Sequence, residues 1–343
     1  MTKALITGGA GFIGHHLIDY ILRYTDWDIT IIDRLDISGN LNRLADIGAA
    51  KNHRVRFVYH DLKAPINEQL AHQIGRHNYI LHLAAATHVD RSITEPLSFV
   101  YDNVVATCNV LDFARFMGCD LFLNFSTDEV FGPAPTGVAY KEWDRYKSGN
   151  PYAATKAGAE ELAVSYANTY KIPMVITHTM NVIGERQHPE KYIPSTIIKV
   201  ERGDEVIVHS DKTRTIPGSR FYIHAKHVAD AVMFLVKRYA DGSIESGDKF
   251  NIVGQQEVTN LEIAQMIAEA LKKPLKYQMV DFHSSRPGHD LRYALDGTKL
   301  RDMGWVPPSS FKDALVSTVR WTLAHPEWVD DFFLPGEIRV ATA

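Results

Sequence analysis

Cysteine is nearly absent from this chain of 343 residues. The two that occur, Cys108 and Cys119, are too few for a disulfide framework and have no metal-ligand spacing between them. A reducing, cytoplasmic location is the expectation. Long apolar runs are missing too: no window is apolar for the thickness of a bilayer, so no membrane partner is expected. The opening MTKALITGG passes from a brief apolar stretch straight into glycines, without the longer hydrophobic region and cleavage site of a secretory signal. A basic surplus is also lacking. The formal net charge is -4 with no polybasic run, which argues against nucleic acid as a partner. The sixteen histidines are scattered and no metal is expected; the adjacent His15 and His16 read as surface positions on a helix. Repeats and low-complexity segments do not occur.

What is present is the composition of an ordinary globular protein, 45% hydrophobic and 23% charged, long enough for one large domain or two lobes. In the first half, short β-rich runs alternate with helical spacing. ALIT (4-7), DITIID (28-33), VRFVYH (55-60), YILHLA (79-84), LFLNFS (121-126) and PMVITHTM (173-180) read as strands. Apolar periodicity predicts helices over 12-24, 66-75 and 97-117, and another after Pro151. Continuous apolar strands alternating with helices predict an α/β fold, a Rossmann-like doubly wound parallel sheet covered on both faces. Beyond about residue 182, Gly and Pro punctuate the chain, short strands such as EVIVH and FYIH appear, and helices are expected near 225-239, 259-271 and 310-324. This divides the chain into a dinucleotide-binding domain over 1-182 and a smaller mixed α/β lobe over 183-343, with part of 221-254 expected to return to the first domain.

The strongest local signal is ALITGGAGFIGHHL. A strand runs into Gly8, Gly11 and Gly14 and then into a helix, so the chain turns tightly, its backbone approaches a diphosphate, and the helix N-terminus faces the negative charge. A tight turn without a ligand is the alternative, but the strand-turn-helix context favours a dinucleotide. Nineteen residues after Gly14, Asp33 ends the second strand, where a carboxylate accepts both ribose hydroxyls and repels a 2'-phosphate. NAD is therefore expected over NADP, although Arg34 stands beside it. Asp61, in YHDL, is placed to meet the adenine edge, or is a plain turn residue. Tyr152 and Lys156 stand four apart at a helix start and share one face, so the ammonium is expected to lower the tyrosine pKa for proton abstraction from a sugar hydroxyl. Finally, STDEVFG places two acids, Asp128 and Glu129, directly behind a buried strand.

GGAGFIG, HLAAATHVDRS, STDEVFG and YAATK, followed by NVIG, HPEKYIP, FNIVG and RPGHDLRYALD, resemble the extended short-chain dehydrogenase/reductase family over nearly the whole chain. More narrowly, they resemble its nucleotide-sugar 4,6-dehydratases. The resemblance implies an NAD-dependent hydro-lyase acting on an NDP-hexose, dTDP-glucose first and UDP-glucose next, and a homodimer paired through the helices at 97-117 and after Tyr152. It assigns proton abstraction from the C4 hydroxyl to Tyr152 with Lys156 and Thr127, C5 deprotonation to Glu129, and protonation of the departing C6 hydroxyl to Asp128. To the cofactor it assigns Gly8, Gly11, Phe12, Ile13, Gly14, Asp33, Arg34, Leu35, Asp36, Asp61, Leu62, Leu83, Ala84, Ala85, Thr87, Asn103 and Ser126, besides Tyr152 and Lys156. To the sugar nucleotide it assigns Thr87, His88, Thr127, Asn181, Lys191, Tyr192, His209, Arg220, Asn251, Arg286 and His289.

The sequence also departs from the family pattern. Ile207 and His209 stand where a proline and a base-stacking tyrosine are usual, 210-219 reads as lengthened, Ser285 replaces an aspartate, and Ile183 and Phe131 replace tyrosines. All but Phe131 fall around the expected base or diphosphate pocket. Two rival readings share the fold: an NDP-sugar 4-epimerase, which gives no reason for Asp128-Glu129, and a non-catalytic NAD-binding sensor.

Overall fold

The computed structural model describes residues 1–282 and 291–329. Seven strands form one sheet: β1 (Lys3–Thr7), β2 (Asp28–Asp33), β3 (Val55–Tyr59), β4 (Tyr79–His82), β5 (Leu121–Thr127), β6 (Met174–Thr179) and, from far along the chain, Asp248–Ile252. Their order is β3-β2-β1-β4-β5-β6 followed by the Asp248–Ile252 strand, and every pairing is parallel. The α/β doubly wound expectation holds. Successive residues of these strands face opposite sides. Leu121 and Leu123 accordingly join one hydrophobic cluster with α1 (Phe12–Tyr24) and the helix Ala225–Ala240, while Phe122 joins another on the far side. Both faces are covered, which is why the strands carry unbroken apolar runs.

Parallel strands place all their C-terminal ends on one edge, and the order reverses between β1 and β4. A crevice opens at such a switch point. The helix predicted over 97-117 is three pieces: α-helix Pro96–Phe99, a π-helical turn Val100–Val105, and α-helix Ala106–Met117. The π turn carries Asn103, whose amide bonds to the Ala86 main chain at 2.8 and 3.1 Å and to Thr155 at 2.9 Å, a polar demand that distorts the regular helix.

His15 and His16 are not on the surface. Both are buried on α1, with His16 against the Glu185 carbonyl at 3.2 Å and facing the His224 ring, because the helix Ala225–Ala240 covers the side expected to meet water. Burial lowers the pKa of both well below the usual imidazole value. The later chain builds a second core from Ile193, Ile197, Val206, Val208, Ile263 and Leu315. No helix among the described residues is long and apolar enough to cross a membrane.

Candidate active site

A cleft of about 350 Å³ runs along the C-terminal edge of the sheet from the glycine turn to the second lobe. At its floor Gly8 has φ +71°, and a Cβ there would lie 2.8 Å from the Ala84 nitrogen. A Cβ on Gly14 would meet the Gly8 carbonyl oxygen at 2.3 Å. Only glycine permits this approach of turn, helix and neighbouring strand end. The first turn of α1 has no side-chain cap, so its N–H groups and the positive end of its dipole remain available to an anion. Gly11, Phe12, Ile13, Leu83, Ala84, Ala85 and Thr87 line the same end.

Asp33 closes β2 with its carboxylate receiving the Ala10 and Leu35 amides at 3.0 and 2.9 Å, and burial raises its pKa. Gly39 lies against it; a Cβ there would be 2.6 Å from Asp33 Oδ1. Arg34, which stood as a possible acceptor of a 2'-phosphate, is occupied: its guanidinium pairs with Asp36, Asp61 and Asp102. Burial weakens that charge, but the Asp102 and Asp36 hydrogen bonds outweigh it and raise the pKa of Arg34. The glycine cradle, the open helix end and an acid whose basic neighbour is neutralised fit a dinucleotide with a free ribose. Asp36, Asp61 and Leu62 line this end, whereas Leu35 does not: φ +57° turns its side chain into the core beneath. Asn103 is likewise buried behind the cleft, bracing its wall rather than lining it.

At the other end, Ser126, Thr127, Asp128, Glu129, Tyr152 and Lys156 meet. β5 ends at Thr127, and a 3-10 turn Asp128–Phe131 directs the acids into the cleft; Tyr152 and Lys156 come from the first turns of helix Pro151–Tyr170. Thr127 donates to Asp128 Oδ1 at 3.0 Å and shares a hydrogen bond with Tyr152. Burial, and then the Glu129 carboxylate, push the Asp128 carboxyl up to about 7. Near neutral pH it is a proton donor beside a second carboxylate.

The expected action of Lys156 on Tyr152 is not what the geometry shows. The ammonium bonds to the Phe125 carbonyl at 2.6 Å, and its pKa falls to about 8 because it is buried, with Glu160 opposing. Burial and the Glu129 carboxylate raise the phenol well above its usual value instead. A phenol cannot accept a proton, so Tyr152 can serve as a base only as its phenolate, a form that a nicotinamide cation bound beside it would favour.

Asn181, just past the end of β6, and Lys191 of the second lobe line the cleft with His88, whose pKa burial and the Lys191 charge lower to about 3. The other substrate residues named from sequence are placed differently. Asn251 is fully buried and spends its side chain on His178, Tyr140 and Asp296, so it braces the sheet edge and cannot meet a nucleotide. Tyr192 packs on the second core and donates to the Asn260 carbonyl at 2.7 Å. His209 stands edge-on to Phe282 at 5.8 Å, outside the cleft lining. Arg220 stacks on Tyr293 at 4.7 Å and donates to the Leu291 carbonyl, yet its charge still reaches Asp128. Arg286, His289 and the departure at Ser285 lie outside the described residues.

Sequence reasoning passed over Arg43 and Gln187, which also line the cleft, as does His188 of the HPEKYIP segment. Arg43 is buried and joins three loops by donating to the Ala10, Ser38 and Arg186 carbonyls at 3.1, 2.6 and 3.1 Å. Its one sequence signal is a charge within LNRLAD, between leucines that face inward.

The family model described as GDP-mannose 4,6 dehydratase matches residues 5–318. The low-salt glycan biosynthesis protein Agl12 of Haloferax volcanii is 37% identical over 94% of this chain and 99% of its own length. A dTDP-glucose 4,6-dehydratase of Salmonella typhimurium is 33% identical over 96% of this chain and 95% of its own. Among solved structures, the dTDP-glucose 4,6-dehydratase DesIV of Streptomyces venezuelae, with NAD bound, superposes at a TM-score of 0.86 and 31% identity, covering 96% of this chain and all of that one (100%). A UDP-glucose 4-epimerase of Thermus thermophilus, in complex with NAD, reaches 0.80 at 26% identity, covering 93% and 98%.

Proposed function

The chain belongs to the GDP-mannose 4,6 dehydratase family, within the extended short-chain dehydrogenases, and we propose from that premise that it dehydrates a nucleoside-diphosphate hexose, dTDP-glucose before UDP-glucose. It is a hydro-lyase that uses NAD. The observation that carries the dehydratase reading is the Asp128-Glu129 pair turned into the cleft beside Tyr152, with burial raising the Asp128 pKa to about 7. The thymidine preference rests on the Salmonella and Streptomyces relatives, which bear that name.

Bound NAD supplies a reversible hydride acceptor for sugar C4 and a donor for C6. Gly8, Gly11 and Gly14 with the N-terminus of α1 would hold its diphosphate, and Asp33 its ribose. Tyr152, hydrogen-bonded to Thr127, takes the C4 hydroxyl proton as its phenolate. Glu129 removes the C5 proton once C4 is a ketone, and Asp128 gives its proton to the C6 oxygen so that water departs. Afterwards C5 recovers a proton and the product is a 4-keto-6-deoxy sugar. Residues 1–182, with the strand Asp248–Ile252, serve the cofactor in this scheme, and 183–343 mainly the sugar nucleotide.

The epimerase reading is favoured by 4-epimerase neighbours, that of Thermus among them, but leaves the acid pair without a task. Offering the enzyme a panel of NDP-hexoses and weighing the products decides between them: loss of one water without accumulating reduced nicotinamide supports dehydration, and an isomer of unchanged mass supports epimerisation. Tyr152→Phe is expected to cut turnover by roughly 10²- to 10⁴-fold while the chain retains NAD, a loss that a non-catalytic sensor would not show. A homodimer is part of the proposal, because Leu97, Tyr101, Phe116 and Tyr170 expose apolar surface along the helical region through which the family resemblance implies pairing. Light scattering at micromolar concentration tests it, and a stable monomer refutes it. The cytoplasmic location rests on the scarcity of cysteine.

A further inference from the structure

The residue before Pro151 does more than start a helix. Asn150 is buried, and its Oδ1 accepts the Ala153 amide at 2.8 Å, the bond of an N-cap. Its Nδ2 points the other way and donates to Glu129 Oε2 at 2.9 Å. One planar amide therefore touches both the helix that carries Tyr152 at its second position and the carboxylate assigned to C5. The main chain keeps the two segments together. Lys147 donates to the Val130 carbonyl at 2.9 Å, and Gly132, at φ +76°, lies so close that a Cβ would come within 2.2 Å of the Lys147 oxygen.

Capping alone does not require an asparagine, since serine caps equally well. The second arm of the amide has a different effect. A hydrogen bond donated to a carboxylate favours its charged form, and Glu129 receives one. Asp128 takes its own hydrogen bond on Oδ1 from Thr127 at 3.0 Å, while its buried Oδ2 has no partner among the described residues. The two acids are thereby held by different donors, Glu129 by the cap of the helix that carries Tyr152 and Asp128 by the end of β5.

We propose that Asn150 is a positioning residue for the elimination step, aiming Glu129 at C5 while it caps the helix that presents Tyr152 to C4. The proposal rests on the dehydratase reading above. It is tested in the full-length, NAD-loaded enzyme with an NDP-hexose that the wild type dehydrates. Asn150→Ser keeps a cap and removes the donation to Glu129. It should lower kcat by about 10- to 100-fold, the range for a lost hydrogen bond to a charged group, and slow exchange of the C5 proton with deuterated solvent in proportion. KM, bound NAD and melting temperature should stay at wild-type values. Asn150→Asp, which caps but sets a carboxylate against Glu129, should lose more. Wild-type kcat and exchange in Asn150→Ser would overturn the proposal, as would a loss that merely follows melting temperature or NAD content. A wild type that dehydrates none of the NDP-hexoses would overturn the dehydratase reading and this proposal together.

Discussion

Replacing Asp128 by asparagine should stabilise the protein in alkaline buffer while disabling it. The carboxyl is 5% exposed and lies beside Glu129, and burial followed by that neighbour raises its pKa from the ordinary 3.8 to about 7. That is about three decades of proton affinity, which at about 1.4 kcal/mol per decade comes to something on the order of 4 kcal/mol. The sign follows from linkage. A folded-state value above the unfolded one favours folding fully below the unfolded value, and the benefit is lost as pH rises through the folded one. Above about pH 7 the folded chain holds a desolvated carboxylate that the unfolded chain hydrates freely. An asparagine of the same shape carries no such penalty. Denaturation of wild type and Asp128→Asn, both saturated with NAD, should give curves that diverge in favour of the variant by about 3 kcal/mol between pH 5 and pH 8. Dehydration by the variant should fall by roughly 10²- to 10⁴-fold. Parallel stability curves across that range would refute the reasoning, since Asp128 would then titrate as an ordinary solvated acid.

A second buried acid predicts the opposite pH dependence. Glu160, wholly buried two turns beyond Tyr152, accepts from His178 at 3.1 Å and Lys249 at 2.8 Å; burial alone would raise its pKa, but His178 and then Lys249 outweigh that and hold it well below the usual range. Its contribution is present above the unfolded value of about 4.3 and is lost as pH falls through the folded one. Glu160→Gln should therefore cost about 3–5 kcal/mol near pH 7, the cost of leaving a buried partner unpaired, with the gap closing in acid, as thermal denaturation at several pH values would record. At the cofactor end, Gly14→Ala places a Cβ 2.3 Å from the Gly8 carbonyl. It should weaken NAD binding at least tenfold by isothermal titration, and an unchanged affinity would contradict the cradle. Releasing Arg34 by Asp102→Asn should raise affinity for NADP more than for NAD, measurable by the same titration.

The strands, the glycine turn and the chemical roster of the site were legible in the primary structure because each depends on neighbours close in the chain. Unbroken apolar runs specify strands buried on both faces, glycine permits the one turn that a diphosphate can approach, and four-residue spacing puts Tyr152 beside Lys156 on a helix. Which charges these groups carry, and which way several side chains face, depends on elements distant in sequence. The helix Ala225–Ala240 buries His15 and His16; the strand Asp248–Ile252 draws Asn251 into its own bracing; Asp102 and Asp61 neutralise Arg34; the end of β5 takes the ammonium of Lys156. Desolvation decides these properties, and desolvation is exerted by whatever packs against a group. A linear pattern lists the residues of the site, but only the folded chain raises the Asp128 pKa and pairs the Arg34 beside Asp33 with Asp36, Asp61 and Asp102.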